Sequence, residues 1–326
     1  MGMEVKKDKG IHLPSCGLWL DPGRKRGLAA VTHAHSDHAG WHIETLATPA
    51  TCALMRARMR KSRGIVHELP FDQPFRFAAG QMTLLPAGHV LGSAQVFVET
   101  DAESLLYTGD FKLRNSLTSE PARAVKADTL ILETTFGRPR YHFPPVEGVV
   151  NDIIQFCRKA IEENHLPVLL AYSLGKAQEL IARLAEAGLP IALHAAVWNM
   201  TRIYQDFGVK FPPFELHLPM DTSLKVLIYP PNTRSQLAHL PNTRTAIISG
   251  WALDSGAIYR FGCDAAFPLS DHADYDELLQ YVEMVQPKRV FTVHGFVEDF
   301  ARDLRRKGME AWALGGVNQL ELLLAA

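Results

Sequence analysis

The sequence predicts a mixed α/β protein in which one layered domain is interrupted by a second, inserted α/β domain. Short apolar runs broken by glycine, proline and aspartate, such as LAAVTH and SLLYTGDF, are typical of strands and extend over residues 18–136. Longer helical patterns then alternate with apolar strand candidates up to about residue 250, where runs such as KRVFTVHG return. The predicted domains are therefore residues 1–143, 144–250 and 251–326, of which the first and third form one unit.

Composition places the chain among ordinary globular proteins. The 326 residues are 47% hydrophobic and 21% charged with a net charge of -1, which excludes a disordered or supercharged chain. Any affinity for nucleic acid must therefore come from a local basic surface. The four cysteines form no CxxC pair, which argues against a disulfide framework or thiolate zinc site and favours the cytoplasm. No apolar run approaches the ~20 residues of a membrane helix, so no membrane partner is expected.

The strongest local signal is the hexapeptide HAHSDH, which follows the apolar run LAAVT. It contains His33, His35, Asp37 and His38. In an extended segment His33 and His35 point to the same side, and the turn that follows can present the other two residues toward a second point. Imidazole and carboxylate ligands suit Zn²⁺, with Mn²⁺ or iron as alternatives, so the segment predicts a metal site.

Three further strand ends supply ligands that would complete such a site. His89 ends the run LLPAGH, Asp110 ends LYTGD, and His294 lies in FTVHG. Each of these residues alone could be an ordinary loop residue. Together with the hexapeptide they make seven ligands, more than one tetrahedral ion accepts. The sequence therefore predicts two divalent ions, Zn²⁺ or Mn²⁺, that share Asp110.

The order of the motifs resembles the metallo-β-lactamase fold in its β-CASP nuclease branch. The motifs are, in chain order, LDPG, HAHSDH, AGH, TGD, ETTFG, SDHAD and VHG. The segment 144–250 occupies the place of the β-CASP domain, and its phrases LGKAQEL and SGWA are similar to those of ligase-associated DNA exonucleases and mRNA 3′-end processing endonucleases. The resemblance covers nearly the whole chain. It implies an αββα sandwich with an inserted β-CASP domain.

The resemblance also implies how the ligands are shared between the two ions. One ion would be held by His33, His35, His89 and Asp110. The other would be held by Asp37, His38, Asp110 and His294. Asp37 is thus expected to serve catalysis as a metal ligand.

Three other motif residues match positions that act around the metals in this branch. Asp21 in LDPG corresponds to a carboxylate that orients the ligand loop. Glu133 in ETTFG and His272 in SDHAD correspond to a hydrogen-bonded pair, in which the carboxylate holds the imidazole's proton and His272 protonates the leaving alkoxide. The alternative for SDHAD is that Ser270 or Asp271 only caps the next helix.

The residues that could contact nucleic acid are indicated by weaker sequence signals than the metal ligands. The candidates are Arg138, Ser173, Gly175, Lys176, Ser249 and Trp251. Arg138 could contact a phosphate, the turn at Ser173 to Lys176 could receive one at a helix N-terminus, and Trp251 could stack on a base. Turn glycines and a core tryptophan explain the inserted-domain residues equally well. The basic run RARMRKSR at residues 56–63 is either a phosphate contact or a solvated helix face.

These observations predict a metal-dependent nuclease. Two ions would activate a water and stabilise charge on the phosphoryl oxygens during in-line attack. The compact size, the small insertion and the retained His294 resemble the ligase-associated group, so a DNA exonuclease in repair or processing is favoured. An RNA-processing nuclease of the β-CASP type is the alternative. The resemblance implies a DNA ligase or helicase as a partner, and a non-catalytic scaffold is disfavoured because all seven ligands are present.

Overall fold

The computed structural model describes residues 3–59, 63–218 and 220–315. The chain divides into two compact units. Among the described residues, the first consists of those before Phe143 together with residues 272–315, and the second is Phe143–Asp271. In the described part of the chain, no helix has both the length and the apolar character needed to cross a membrane.

The first sheet of the first unit has the strand order β1-β2-β3-β4-β5-β6 among the described residues. Its strands are β1 (Lys6–Lys7), β2 (Ile11–Leu13), β3 (Leu18–Leu20), β4 (Leu28–Ala30), β5 (Glu44–Ala47) and β6 (Ile65–Glu68). Strands β3 to β6 are parallel, and α1 (Pro49–Arg58) connects the neighbours β5 and β6. The parallel arrangement brings the carboxyl ends of β3 and β4 to one edge of the sheet.

The second sheet of this unit has the order β19-β18-β11-β10-β9-β8-β7. Its strands are β7 (Phe75–Phe77), β8 (Gly80–Pro86), β9 (Ala94–Glu99), β10 (Ser104–Tyr107), β11 (Thr129–Thr134), β18 (Arg289–Gly295) and β19 (Glu310–Ala313). Two helices, α6 (Tyr275–Val285) and α7 (Val297–Arg306), flank β18 in sequence. Strands β10, β11 and β18 are parallel, so their carboxyl ends also share one edge.

The alternation of side chains along the strands builds two cores on the two faces of the second sheet. In β10, Leu105 and Tyr107 join a core with first-sheet residues such as Leu20 and Leu46. Leu106, which points to the opposite face, joins a core with residues of α6 and α7. The unit is therefore a layered sandwich of two sheets with helices outside, which confirms the predicted fold class.

The second unit is a parallel sheet with helices, in the order β14-β13-β15-β12-β16-β17. Its strands are β12 (Leu166–Leu170), β13 (Ile191–Leu193), β14 (Glu215–Leu216), β15 (Val226–Tyr229), β16 (Thr243–Ile248) and β17 (Ala265–Phe267). Its helices are α2 (Val146–Glu162), α3 (Lys176–Arg183), α4 (Ala195–Asp206) and α5 (Ala257–Phe261).

The boundary after the second unit differs from the prediction. Residues 251–271 were expected in the return segment, but they lie in the second unit. The physical reason is that β17 forms the edge of its sheet, with Ile248 paired to Phe267 in parallel register. A three-residue edge strand of half-buried residues carries too weak a pattern to be assigned from sequence.

Candidate metal centre and active site

The predicted ligands of the first ion lie together in the first unit. They come from the segments that follow β4, β8 and β10. One ligand atom from each of His33, His35, His89 and Asp110 falls within 4.8 Å of the others. His89 Nε2 lies 3.0 Å from His35 Nδ1, and His33 Nε2 lies 3.4 Å from Asp110 Oδ2. The fold thus gathers three imidazoles and a carboxylate from residues spread over 78 positions of sequence.

Hydrogen bonds set which nitrogen of His33 is free to bind a metal. Asp21 accepts hydrogen bonds from the backbone N–H of Thr32 at 2.7 Å and from the Thr32 hydroxyl at 2.6 Å. Because that hydroxyl donates to Asp21, it can only accept from His33 Nδ1, 3.0 Å away. The lone pair of His33 is then on Nε2, which is buried without a hydrogen-bond partner among the described residues.

The carboxylate of Asp21 orients His38 in the same way. His38 Nδ1 lies 2.8 Å from Asp21 Oδ2, which leaves Nε2 to face Asp110 Oδ1 at 3.5 Å. The same Asp21 oxygen accepts from the Tyr107 hydroxyl at 3.0 Å. Such a carboxylate fixes the tautomer and ring orientation of a ligand. Asp21 therefore lies where the resemblance implies it should act.

The other residues of the second predicted ligand set surround His38. Asp37 Oδ2 is 3.7 Å from His38 Nε2. The rings of His38 and His294 have centroids 5.0 Å apart. Asp110 presents Oδ1 to His38 and Oδ2 to His33, so its two oxygens face the two halves of the cluster. The assignment of these side chains to a second ion stays a prediction.

A backbone irregularity in β18 presents His294. The register pairs Glu133 with Val293 but Thr134 with Gly295, so His294 is the extra residue of a bulge. Its φ is 55°, in the left-handed region that non-glycine residues seldom adopt. The Thr134 hydroxyl donates to the His294 carbonyl at 2.6 Å and so holds this conformation.

Burial and neighbouring charges shift the pKa values of the cluster's ionisable groups in different directions. Burial lowers the pKa of His33 well below its usual value, and it lowers the pKa of His294 to about 4. Burial also raises the pKa of Asp110 to about 7. Burial opposes charge on His38 as well, but the carboxylates of Asp110 and Asp21 outweigh it and raise its pKa to about 10. A bound metal ion would therefore have to replace the proton that these carboxylates favour on His38.

These features fit divalent ions. Metal ligation requires deprotonated imidazole nitrogens, and His33 supplies one that is buried and otherwise unpartnered. When bound, such ions lower the pKa of a coordinated water and offset the charge of a phosphoryl group. The chemistry of the donor set, histidine with aspartate and no thiolate, agrees with the predicted Zn²⁺ or Mn²⁺.

Glu133 and His272 form the predicted pair beside the cluster. His272 Nδ1 is 3.0 Å from Glu133 Oε1, and ligand atoms of both residues lie within 4.8 Å of one from Asp110. Glu133 is fully buried and also accepts from the backbone N–H of Thr135 at 3.0 Å. Burial opposes ionisation of this carboxyl, but His272 and Thr135 outweigh it and hold its pKa below the usual range. The pair can therefore carry a proton on His272.

Sequence reasoning missed the residue that holds the backbone of His272. Arg114 donates to the His272 carbonyl at 2.8 Å and to Asp274 Oδ2 at 2.9 Å, and its own backbone N–H donates to Glu277 at 2.6 Å. Asp274 and Glu277 form the capping box at the start of α6. The cap is therefore Asp274, not the Ser270 or Asp271 considered above. A DxxE pattern before an apolar helix could have identified the cap, but nothing local pointed to Arg114.

Three basic candidates of the first unit, Arg138, Arg56 and Arg58, are engaged within the protein. Arg138 Nε donates to Asp299 at 2.6 Å, and its guanidinium lies 4.1 Å from the centroid of the Phe296 ring. In the basic run, Arg56 pairs with Glu68, whereas Arg58 donates to the Ala34 carbonyl inside the hexapeptide at 2.9 Å. Part of the run (residues 60–62) lies outside the described residues. The phosphate-binding role of Arg138 stays a prediction.

The candidates of the second unit lie at the carboxyl ends of two adjacent parallel strands. Ser173 and Gly175 follow β12, and Ser249 and Trp251 follow β16, which pairs with β12. Gly175 has a φ of 86°, and its N–H donates to Gln178 at 2.7 Å. Ser249 is buried and accepts from the N–H of Trp251 at 3.3 Å.

Lys176 is the candidate whose surroundings differ most from the expectation. Its side chain is 3% exposed, and Nζ donates to Asp271 at 2.6 Å. An ammonium group held in a buried ion pair is costly to separate from its partner. A substrate phosphate would therefore have to compete with Asp271 for this side chain.

Comparison with known proteins agrees with the fold and with this donor set. Residues 265–314 match the family described as Zn-dependent metallo-hydrolase RNA specificity domain. Over 326 residues, covering 99% of the chain, the sequence is 50% identical to a protein from Opitutus terrae named probable DNA ligase, of which it covers 32%. It is 25% identical to the DNA cross-link repair protein SNM1 of Arabidopsis thaliana and 25% identical to the 5′ exonuclease Apollo of Gallus gallus.

These two alignments cover 80% and 82% of the chain and 59% and 58% of the relatives. The chain thus spans about a third to three fifths of the length of the proteins it matches. The layered sandwich is that of the metallo-β-lactamase fold, and the family match agrees with a metal site at the ligand cluster. The resemblance to the β-CASP branch of that fold is confirmed.

Proposed function

We propose that this chain is a metal-dependent nuclease that hydrolyses phosphodiester bonds of DNA, as an exonuclease in repair or processing. The observation that carries the proposal is the placement of the Glu133 and His272 pair against Asp110, beside the ligand cluster. The leaving alkoxide of a phosphodiester is strongly basic, so a phosphodiesterase gains from an acid at this place.

Each residue of the site has a distinct role in the proposed reaction. His33, His35, His89 and Asp110 would hold one ion, and Asp37, His38, Asp110 and His294 would hold the other. Glu133 accepts from Nδ1 of His272, which leaves Nε2 to deliver a proton to the leaving oxygen. Arg114 fixes the backbone of His272 and so keeps the imidazole at a constant distance from the cluster.

DNA is favoured as the substrate. Relatives that align over most of the chain are named for DNA cross-link repair, 5′ exonuclease activity and DNA ligation. RNA is the second candidate, because the family matched at residues 265–314 is described as an RNA specificity domain. The candidate contacts Arg138, Ser173, Gly175, Lys176, Ser249 and Trp251 belong to this proposal and are expected to weaken nucleic-acid binding when substituted.

A DNA ligase is the partner that this function favours. A segment equivalent to the whole chain is joined to further sequence in a protein named probable DNA ligase. End trimming by a nuclease prepares the termini that a ligase joins, so the two activities are complementary. A helicase partner and a cytoplasmic location are expectations from the sequence that we retain in the proposal.

The test is digestion of matched single- and double-stranded DNA and RNA oligonucleotides, labelled at either the 5′ or the 3′ end, by protein loaded with Zn²⁺ or Mn²⁺. We expect stepwise shortening of DNA from one end, with the label position giving the polarity. Asp110→Asn should abolish the activity, which excludes a contaminating nuclease. Preferential cleavage of RNA would favour the second candidate, and the absence of cleavage of any substrate would refute the nuclease function.

A further inference from the structure

We propose that two adjoining loops, residues 8–10 and 22–27, form a basic rim that binds phosphates of the DNA strand beyond the scissile bond. The basic rim consists of Lys9, Arg24 and Lys25. The inference rests on the proposed nuclease function and adds to it a binding surface outside the metal centre. Three independent features of these loops support the inference: the contacts between the loops, their position, and their unpaired charge.

The two loops are fastened to each other. The N–H of Gly23 donates to the Lys9 carbonyl at 2.7 Å, and the Arg26 guanidinium donates to the Asp8 carbonyl at 3.2 Å. Gly10 has a φ of 132°, and a Cβ at this position would lie 2.5 Å from Cα of Pro22. The backbones therefore touch where only glycine fits. A surface that is rigid before binding loses little conformational entropy when a ligand binds.

The second loop begins at the edge of the first sheet that carries the candidate ligands, and Lys9 contacts the start of this loop. Residues 22–27 connect β3 to β4, and they directly follow Asp21, whose carboxylate holds His38. The N–H of Arg26 also contacts Nδ1 of His42 at 3.3 Å, in the segment that follows HAHSDH. Burial lowers the pKa of His42, the Asp21 carboxylate opposes this shift, and the charge of Lys25 adds to it.

The charge of the basic rim is not balanced within the protein. Lys9, Arg24 and Lys25 are exposed, and in the part of the chain that the structure describes none of them forms an ion pair. The neighbouring acids are occupied, because Glu4 pairs with Lys6 and Asp8 pairs with Arg26. Three unpaired cations on a rigid edge complement a polyanion. Since the adjoining centre is built for a phosphodiester, the matching polyanion is the continuing DNA backbone.

The test compares three proteins in binding to a fluorescein-labelled, phosphorothioate-linked single-stranded oligonucleotide, measured by anisotropy over a range of salt concentrations. The neutralised variant is Lys9→Gln/Arg24→Gln/Lys25→Gln. Three lost phosphate contacts should reduce the slope of log K against log salt by roughly 2, since each contact on a single strand contributes about 0.7. KM for a cleavable oligonucleotide should rise, while kcat stays within about twofold because no metal ligand changes.

The control variant is Arg76→Gln/Lys126→Gln/Lys307→Gln, which removes the same charge from exposed positions. Lys126 and Lys307 precede β11 and β19, at the strand ends opposite the ligands, and Arg76 lies on the edge strand β7. This variant should keep the wild-type slope. The basic-rim proposal is overturned if the control loses as much slope as the neutralised variant, or if the neutralised variant loses none. Neither outcome would affect the nuclease activity of the wild type.

The small diester bis(p-nitrophenyl) phosphate separates the basic rim from the metal centre. It is too short to reach the rim, so the wild type and the neutralised variant should hydrolyse it at equal rates. A loss on this substrate as large as the loss on DNA would also overturn the proposal, because the substitutions would then act through the metals. Failure of the wild type to bind or cleave DNA would instead refute the proposed function itself, and the basic rim with it.

Discussion

Arg114 donates a hydrogen bond to the backbone carbonyl of His272 at 2.8 Å, across 158 residues of sequence. The same guanidinium contacts Asp274 and Glu277, the cap residues of α6. One side chain thus ties the segment after Asp110 to the imidazole that contacts Glu133. This makes Arg114 a positioning residue for His272.

Arg114→Lys should lower kcat for DNA by about 10- to 100-fold, because displacement of a catalytic group by ~1 Å costs up to about 100-fold. The ammonium cannot contact the carbonyl and both carboxylates with the geometry of a guanidinium. Metal content, measured by elemental analysis, should stay unchanged. The matched control is Arg123→Lys, since Arg123 forms an exposed ion pair with Asp72, which is not a candidate ligand. Loss of metal from Arg114→Lys would contradict the positioning role.

His272→Ala should retain both metals and DNA binding but lose about 10²- to 10⁴-fold in kcat, the range expected for a general acid. A phosphorothiolate substrate, from which sulfur departs, should recover much of this loss because a thiolate leaves without protonation. Glu133→Gln should show a milder defect of the same kind, since Glu133 orients the imidazole. The same substrate should also partly rescue Arg114→Lys. Metal loss in His272→Ala, or no rescue by sulfur, would place His272 among the ligands.

Asp110→Asn should weaken both metal sites, whereas His294→Ala should weaken only one. The reason is that Asp110 faces His33 with one oxygen and His38 with the other. Asp21→Asn should lower the affinity of the His38 site by about 10- to 100-fold through loss of ring orientation. Isothermal titration of the metal-free protein with Zn²⁺ and Mn²⁺ gives the stoichiometry and both affinities. A maximum of one ion per chain would refute the two-ion prediction.

Gly295→Ala should destabilise the protein more than Gly308→Ala. Both glycines have positive φ, 65° and 83°, so each substitution carries the left-handed strain of about 1–2 kcal/mol. At Gly295 a Cβ would also lie 2.3 Å from the Thr134 carbonyl oxygen, whereas nothing lies within 4 Å at Gly308. Urea denaturation at equilibrium measures the difference. If the two variants lost equal unfolding free energy, the bulge at His294 would accommodate the added methyl group without further destabilisation.

The stability of the first unit should fall in acid partly through Asp128. The hydrogen bond from Lys288 and those from Ser104 lower the pKa of Asp128 to about 2. A carboxyl whose pKa is lowered on folding stabilises the protein above its ordinary pKa, and this contribution is lost as the pH falls from about 5 toward 2. Because the pair is largely solvated, its loss should cost only about 0.2–1 kcal/mol. Unfolding of Asp128→Asn should therefore depend less on pH over this interval, and an unchanged pH profile would contradict the prediction.

The sequence alone predicted the fold class, and it predicted metal ligands of which the structure brings His33, His35, His89 and Asp110 together. Metal chemistry restricts ligands to a few residue types, and the close spacing of HAHSDH cannot be explained by core packing. Placing His89, Asp110 and His294 at the ends of apolar runs was possible because parallel strands bring their carboxyl ends to one edge. The pairing of Glu133 with His272 came from the resemblance, and the structure places the two side chains in contact.

Only the tertiary structure decided which charged groups are paired and how the backbone presents them. Arg114, Arg138 and Lys176 resemble any other cation in the sequence, but their partners lie 158, 161 and 95 residues away. The bulge at His294 depends on register with β11, and the assignment of residues 251–271 depends on the pairing of β17 with β16. Such contacts arise from packing between distant segments, which leaves no periodic pattern in the local sequence, whereas the residue types and order of the candidate ligands can be read from it directly.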